Sequence, residues 1–399
     1  MTRGVEETGE GSDKARATLF TPAFIALSIA ELAYFTAVGL LIPVAPLFAS
    51  GPLGASLAET GLAIGAFAMT ALVLRPIAGR TADRRGRRPL IIGGALLFAA
   101  ATAAHLAVGN LAMLVGLRLV LGAAEAFFFV AGLAALLDLA PPERAGEALS
   151  FNSLALYMGI AVGPLVGETL LDIGGFNLAW IGGATLALVA AVFGTRIPET
   201  VSPEAADSPA LLINRAATAP SLALFSGILG MAGFLGFVAV YARSSLAMDG
   251  AGGVLLLFGA IVIGCRIAFA SLPDRLPPFR LVAVALVLCT AGLGVIGLVG
   301  SFGGLLVGAA TLAGGVAFLT PAVFAALYRR VDASERGSAA GTASLFLDLA
   351  FIGGPTIFGL VAGTAGIAAA FLVGALVAAI GGAGTIALTS AARRAEAAG

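Results

Sequence analysis

Twelve apolar runs of roughly 20 residues or more recur along this 399-residue chain, and each, wound as a helix, can cross the roughly 30 Å hydrocarbon core of a bilayer. A water-solvated globule has no interior large enough to hide them all. In lipid no water is available to satisfy backbone N–H and C=O groups, so each run is expected to be a helix. The runs lie near residues 20–48, 58–78, 89–108, 111–138, 148–172 and 177–195, then near 220–242, 252–271, 281–300, 302–327, 339–362 and 366–388. Composition agrees: 59% of residues are hydrophobic and 11% charged, against roughly 45–50% and 25% in soluble domains.

The expected organisation is a polar tail over residues 1–19, a six-helix bundle over 20–195, a linker over 196–219, a second six-helix bundle over 220–388 and a tail over 389–399. The first tail mixes acids with bases and lacks the pattern of a signal peptide. Arginines crowd alternate connections, among them Arg80, Arg84, Arg144, Arg196, Arg280 and Arg329, while the opposite connections hold essentially Arg243 alone. The positive-inside rule then places both termini in the cytoplasm. Arg heavily outnumbers Lys, and Ala and Gly are abundant, which suggests a bacterium with a GC-rich genome; the expected location is its inner membrane.

The two halves echo each other. Arg75 stands eight positions before Asp83-Arg84, and Arg266 eight positions before Asp274-Arg275. Glu143-Arg144 follows the fourth run and Glu335-Arg336 the tenth, and the next helix carries Gly163-Pro164 or Gly354-Pro355. One shift of about 191 positions relates all these pairs. Such a repeat implies a substrate site between two related bundles, with access alternating around it.

Ionisable residues inside the runs are the candidate functional groups, because a charge at the bilayer centre costs at least about 2.5–3.5 kcal/mol unless it faces a cavity or a partner. Arg118, Gly122 and Glu125 share one face of the fourth helix, and Glu31 shares a face of the first with Tyr34 and Phe35. Glu31, Arg118 and Glu125 are expected to form a titrating core; a purely structural ion pair or hydrogen-bonded carboxyl is the alternative. Asp348 is the comparable acid of the second half. Tyr34, Asn152, Tyr157, Phe234, Tyr241 and Asp348 are the candidates for cavity lining. Gln is absent and polar side chains are scarce in the runs, which favours an apolar pocket over a sugar site. His105, the sole histidine, is expected at the membrane interface. Cys265 and Cys289 lie apart in apolar runs, so no metal site, disulfide or cofactor is expected. Nor is an enzyme, which would need convergent catalytic groups.

The segment from Gly79 to Pro89, which holds Asp83, Arg84, Gly86, Arg87 and Arg88, resembles the G-x-x-x-D-R-x-G-R-R loop between helices two and three of the major facilitator superfamily. Arg118 with Gly122 resembles that family's fourth-helix pattern. Gly159, Gly163, Pro164 and Gly167 resemble the fifth-helix motif of its twelve-helix drug:proton antiporters, with Glu168 in place of the motif's last Gly, and Gly39, Pro43 and Pro46 resemble their first-helix motif. The resemblance implies an all-α membrane protein of major facilitator fold, with twelve transmembrane helices in two pseudo-symmetric six-helix bundles. It implies gating by Asp83, Arg84 and Arg87, with Asp138 as acidic partner and a weaker copy at Asp274 and Arg275. It further implies export of a small amphipathic molecule in exchange for protons, by a monomer in the lipid bilayer with no nucleic-acid partner. A dedicated transporter of one metabolite, such as a siderophore, amino acid or sugar derivative, moved outward or by proton symport, is the alternative.

Overall fold

The computed structural model describes residues 19–141, 144–200, 214–269, 272, 276–331 and 335–398. Among these, the regular structure is helical: α1 (Pro22–Ser50), α2 (Leu57–Arg85), α3 (Arg87–Ala104), α4 (Leu111–Leu139), α5 (Ala145–Gly194), α6 (Arg215–Leu246), α7 (Gly252–Ala268), α8 (Pro278–Leu298), α9 (Phe302–Tyr328), α10 (Arg336–Ala365) and α11 (Ile367–Ala398), with one 3-10 turn at His105–Ala107. A straight α5 of 50 residues would be roughly 75 Å long, about twice the bilayer. It breaks instead at Gly174 and Gly175, and Gly175 takes φ +67° with ψ −167°, a combination open essentially to glycine alone. Counting its two arms separately gives twelve α-helical segments among the described residues, of which α7, at 17 residues, is the shortest.

Local chemistry sets the helix starts. Thr21 caps α1 by accepting from the Phe24 N–H at 3.2 Å, with Pro22 in the first turn. Ser56 and Glu59 form a reciprocal capping box on α2, and Asn110 and Ser301 cap α4 and α9. Each satisfies donors that the helix itself leaves open.

Three boundaries differ from the expected ones. Residues 79–85 are the last turns of α2 rather than a loop, because nothing breaks the helix before Gly86, whose φ of +93° ends it. The expected linker stops short of 219: Asn214 accepts from the Ala216 and Ala217 N–H groups and starts α6 at Arg215. The expected tail beyond 388 continues α11 to Ala398, in keeping with its Ala, Arg and Glu content. Residues 1–18 and 201–213 lie outside the described residues.

The helices bury two hydrophobic cores, one drawn from residues 19–197 and the other from 217–378 together with Leu47 and Leu171. Between the halves, α2 packs on α10, the first arm of α5 on α7, and α1 on α6. The repeat maps α2 onto α7 and the first arm of α5 onto α10, so the first two of these contacts are one contact made twice. Close approach is possible because the facing residues are small. A Cβ added to Gly359 would stand 2.9 Å from Gly61 Cα, and one added to Gly259 would stand 2.8 Å from Ala161 Cα. The Gly61–Gly359 contact closes the face opposite the arginine-rich one.

Candidate functional site

Arg75, on α2 about 15 Å by helical rise from the Arg85 end, joins the halves. Its Nη1 lies 2.9 Å from Asp348 Oδ1 on α10, and its Nη2 lies 3.3 Å from Glu125 Oε1 on α4. Both acids are almost fully buried, whereas the arginine keeps 24% of its side chain exposed. The Phe129 ring lies 5.3 Å from the guanidinium. Glu125 Oε2 is buried without a hydrogen-bond partner among the described residues. With every group ionised this cluster of one base and two acids is net negative, and one proton brings it to neutrality.

The expected grouping of Glu31, Arg118 and Glu125 is therefore rearranged. Glu125 pairs with Arg75. Arg118 is buried and rests on the Phe67 ring at 5.3 Å, with no ion pair among the described residues. Glu31 is buried on α1, where Asn152 Nδ2 donates to its Oε1 at 3.3 Å, and its Oε2 has no partner. Sequence reasoning missed Arg75 as a member of the site, taking it only as a marker of the repeat. Its depth within α2 was the available signal.

Of the cavity candidates, the structure brings Tyr157 to a cavity and Asp348 to Arg75. Tyr34 is fully buried, its ring stacked 3.8 Å from that of Phe128. Phe234 packs against Phe258 and Phe371, and Tyr241 is buried with its hydroxyl donating to the Ile296 carbonyl at 3.3 Å. Aromatic packing inside each bundle thus buries these three, and none lines the cavity beside Tyr157. His105 stands just beyond the end of α3 with its side chain buried: its Nδ1 donates to the Ala101 carbonyl at 2.8 Å and its ring lies against Trp180.

The arginine-rich motif is organised around Arg87. This buried guanidinium lies 3.1 Å from both Asp83 and Asp138 and donates to the Ala82 carbonyl at 2.9 Å. A residue that sequence reasoning missed, Glu199, accepts from the Arg87 and Arg88 N–H groups at the start of α3, where the helix dipole favours an anion. The Glu199 carboxylate sits against Gly86, whose φ of +93° is one that L side chains rarely adopt, which explains the glycine at that step of the motif. Arg88 donates to the Thr195 carbonyl at 2.8 Å, Arg84 is exposed, and Gly79 faces Val130. The copy at Asp274 and Arg275 lies outside the described residues.

The glycine stripe of α5 lies on α1. A Cβ on Gly159 would meet the Phe35 backbone at 2.7 Å, one on Gly163 the Gly39 Cα at 2.7 Å, and one on Gly167 the Leu40 carbonyl at 2.5 Å. Pro164 sits within this helix without ending it.

Glu168, one residue beyond the stripe, reaches across to α7. It accepts from the Ala251 N–H at 2.8 Å and from the Gly252 N–H, at the helix N-terminus. The repeat places Glu168 opposite Gly359 and Gly252 opposite Gly61, so the same face is closed by glycine on glycine in one half and by carboxylate on helix terminus in the other. Glu168→Gln is expected to weaken this closure by about 1.5 kcal/mol, roughly a tenfold shift in the ratio of closed to open forms. Spin labels at Gly109 and Gly303, in a chain freed of its two cysteines, would then report a larger share of long distances. An unchanged distance distribution would show that Glu168 is no latch.

A cavity of about 480 Å³ lies between α5, α7 and α9, in the half of the molecule nearer the arginine-rich face, lined by Phe151, Tyr157, Arg266, Phe318 and their neighbours. Arg266 lies over the Tyr157 ring at 4.1 Å.

The sequence profile of the Major Facilitator Superfamily matches residues 27–311. An uncharacterized MFS-type transporter of Salmonella typhimurium is 28% identical over 365 residues, covering 90% of this chain and 94% of the relative. Another, from Burkholderia mallei, is 30% identical over 370 residues and 89% of each chain. The crystal structure of a bacterial homolog of the human lysosomal transporter Spinster, inward-facing and occupied, superposes with a TM-score of 0.79 at 16% identity, covering 93% of this chain and 97% of that one. A profile match over most of the length, relatives aligned nearly end to end and an all-helical fold shared with a solved transporter together place this chain in the major facilitator superfamily of multi-pass membrane transporters.

Proposed function

We propose that the protein is a secondary active transporter of the bacterial inner membrane that exports a small amphipathic molecule in exchange for protons. The observation that carries this is the Arg75 cluster, in which Glu125 from one half and Asp348 from the other share one guanidinium. A proton on either acid removes one of the two charge pairs that tie α2 to α4 and α10, so protonation and the relative position of the halves are coupled. Glu31 and Arg118, buried without a charged partner among the described residues, supply further groups for proton or substrate exchange.

With the arginine-rich face assigned to the cytoplasm, the Glu168 and Gly61–Gly359 contacts close the outer side and the cavity lies in the inner half. Residues Asp83, Arg84, Arg87 and Asp138 would then act as the gate that alternates with this closure. The cavity lining, aromatic and aliphatic with few polar groups, supports an amphipathic cargo over a polyhydroxylated metabolite.

Proteoliposomes loaded with a pH-sensitive dye test the exchange. Gradients of a panel of amphipathic fluorescent compounds are imposed, and at least one is expected to drive protons in the opposite sense. Glu31→Gln, Glu125→Gln and Asp348→Asn should each reduce that proton movement by about a hundredfold or more, the usual scale for loss of a positioned proton-transfer group. Proton movement that is unchanged in all three variants, or that runs with the compound instead of against it, would overturn exchange at these acids.

A further inference from the structure

Arg75 and Arg266 occupy equivalent places in the two halves, separated by about 191 positions, and so do their cross-half neighbours Asp348 and Tyr157. The two contacts are therefore the same contact in pseudo-symmetric copies, with two differences. In the first, a guanidinium from α2 meets a carboxylate on α10, and in the second a guanidinium from α7 meets an aromatic ring on the first arm of α5. The other acid on Arg75, Glu125, corresponds to Val316 or Ala317 in the second half, both apolar. Arg75 thus has two anionic partners where Arg266 has a tyrosine face and aliphatic side chains.

The lone cation is placed where a ligand can reach it. Among the described residues Arg266 forms no ion pair, its Nε is buried without a hydrogen-bond partner, and it is the one charged residue lining the cavity of about 480 Å³. A guanidinium held in an apolar membrane cavity is stabilised strongly by an anion that accepts two parallel hydrogen bonds from it. Tyr157 holds the plane of the fork from one side, while Phe151, Phe318 and Pro321 offer apolar surface beside it.

We infer that the transported molecule is an amphipathic anion, a carboxylate, sulfonate or phosphate on an apolar body, whose head group takes the place at Arg266 that Asp348 holds at Arg75. This deepens and rests on the transporter reading above: among the described residues the second half offers Arg266 no internal counter-ion, and the cargo brings one. Anionic lipid has the same head-group chemistry and is the competing source.

The full-length protein in phosphatidylcholine nanodiscs is titrated with pyrenebutyrate and, separately, with pyrenebutylammonium, which share an apolar body and differ in charge. Energy transfer from Trp180, the single tryptophan, reads the saturable component above empty discs. Arg266→Gln is expected to weaken pyrenebutyrate binding by at least about tenfold, the scale of one lost charge-assisted pair, and to leave pyrenebutylammonium binding no weaker. Arg266→Lys should retain part of the anion binding. Tyr157→Asp, which rebuilds the Arg75–Asp348 arrangement, should abolish it with the arginine still present. Anion binding that survives Arg266→Gln and Tyr157→Asp, or weakening of both probes alike, overturns the inference. Competition by phosphatidylglycerol in the discs, with no counterflow of pyrenebutyrate in proteoliposomes, assigns the site to lipid and overturns an anionic cargo. Binding is read without any gradient, so a negative result here leaves proton exchange standing, and failed exchange leaves the anion site standing.

Discussion

Arg75→Ala is expected to reduce transport to below about 1% of wild type and to destabilise the folded protein by about 3 kcal/mol, the low end for breaking a buried charge pair because the arginine is partly exposed. Removing the guanidinium leaves Glu125 and Asp348 buried with no cation between them, and each then keeps its desolvation cost without its compensation. Loss of stability and loss of transport are separable. The triple variant Arg75→Ala, Glu125→Gln, Asp348→Asn removes all three charges, so its thermal unfolding midpoint should return close to wild type while transport stays lost. Arg75→Lys is expected to fall between, because a point ammonium cannot reach two carboxylates from separate nitrogens as the planar fork does. Transport by the triple variant would mean that the cluster only holds the helices together.

Gly163→Ala is expected to destabilise the protein by about 2–3 kcal/mol, although the same change in an open helical position is favourable by up to about 1 kcal/mol. At Gly163 the new methyl would stand 2.6 Å from the Thr36 carbonyl oxygen and 2.7 Å from Gly39 Cα. Both are backbone atoms, which cannot rotate away, so α1 and α5 must separate along their shared stripe. Gly93 on α3 is the matched control, since a Cβ there meets nothing within 4 Å. Thermal unfolding of the two variants in the same detergent checks the difference. Equal midpoints would show that α1 and α5 do not depend on backbone-to-backbone approach. Gly163→Val, with two more methyls in the same gap, should fail to give folded protein.

The charged residues inside the membrane were legible as a set but not as pairs. Glu31, Arg118, Glu125 and Asp348 stand out in the sequence because a charge in an apolar run is costly and therefore rare. Arg118 and Glu125 share a helix face, which suggested that they act together. The structure instead turns Arg118 toward Phe67 and Glu125 toward Arg75. Arg75 was absent from the expected site because it was read only as part of the repeat, near the arginine-rich connection, whereas α2 runs on through Asp83 to Arg85 and leaves Arg75 deep inside. The aromatic candidates were misjudged for a related reason. A helix presents residues all around its axis, and the sequence does not say which side meets a cavity and which a neighbouring ring, so Tyr34 and Phe234 were placed in the cavity while the fold packs them in its cores.

By itself the sequence determined that the chain is helical, that it crosses a membrane about twelve times and that its halves are copies. Those properties follow from the length of apolar runs against the bilayer thickness and from spacings along one chain. Only the tertiary structure decided that Arg75 meets an acid 273 positions away, that Glu168 closes the end of α7, and that Arg266 has an aromatic ring where its counterpart has a carboxylate. Such pairings depend on the rotation and tilt of packed helices, which side-chain volumes from both partners set together.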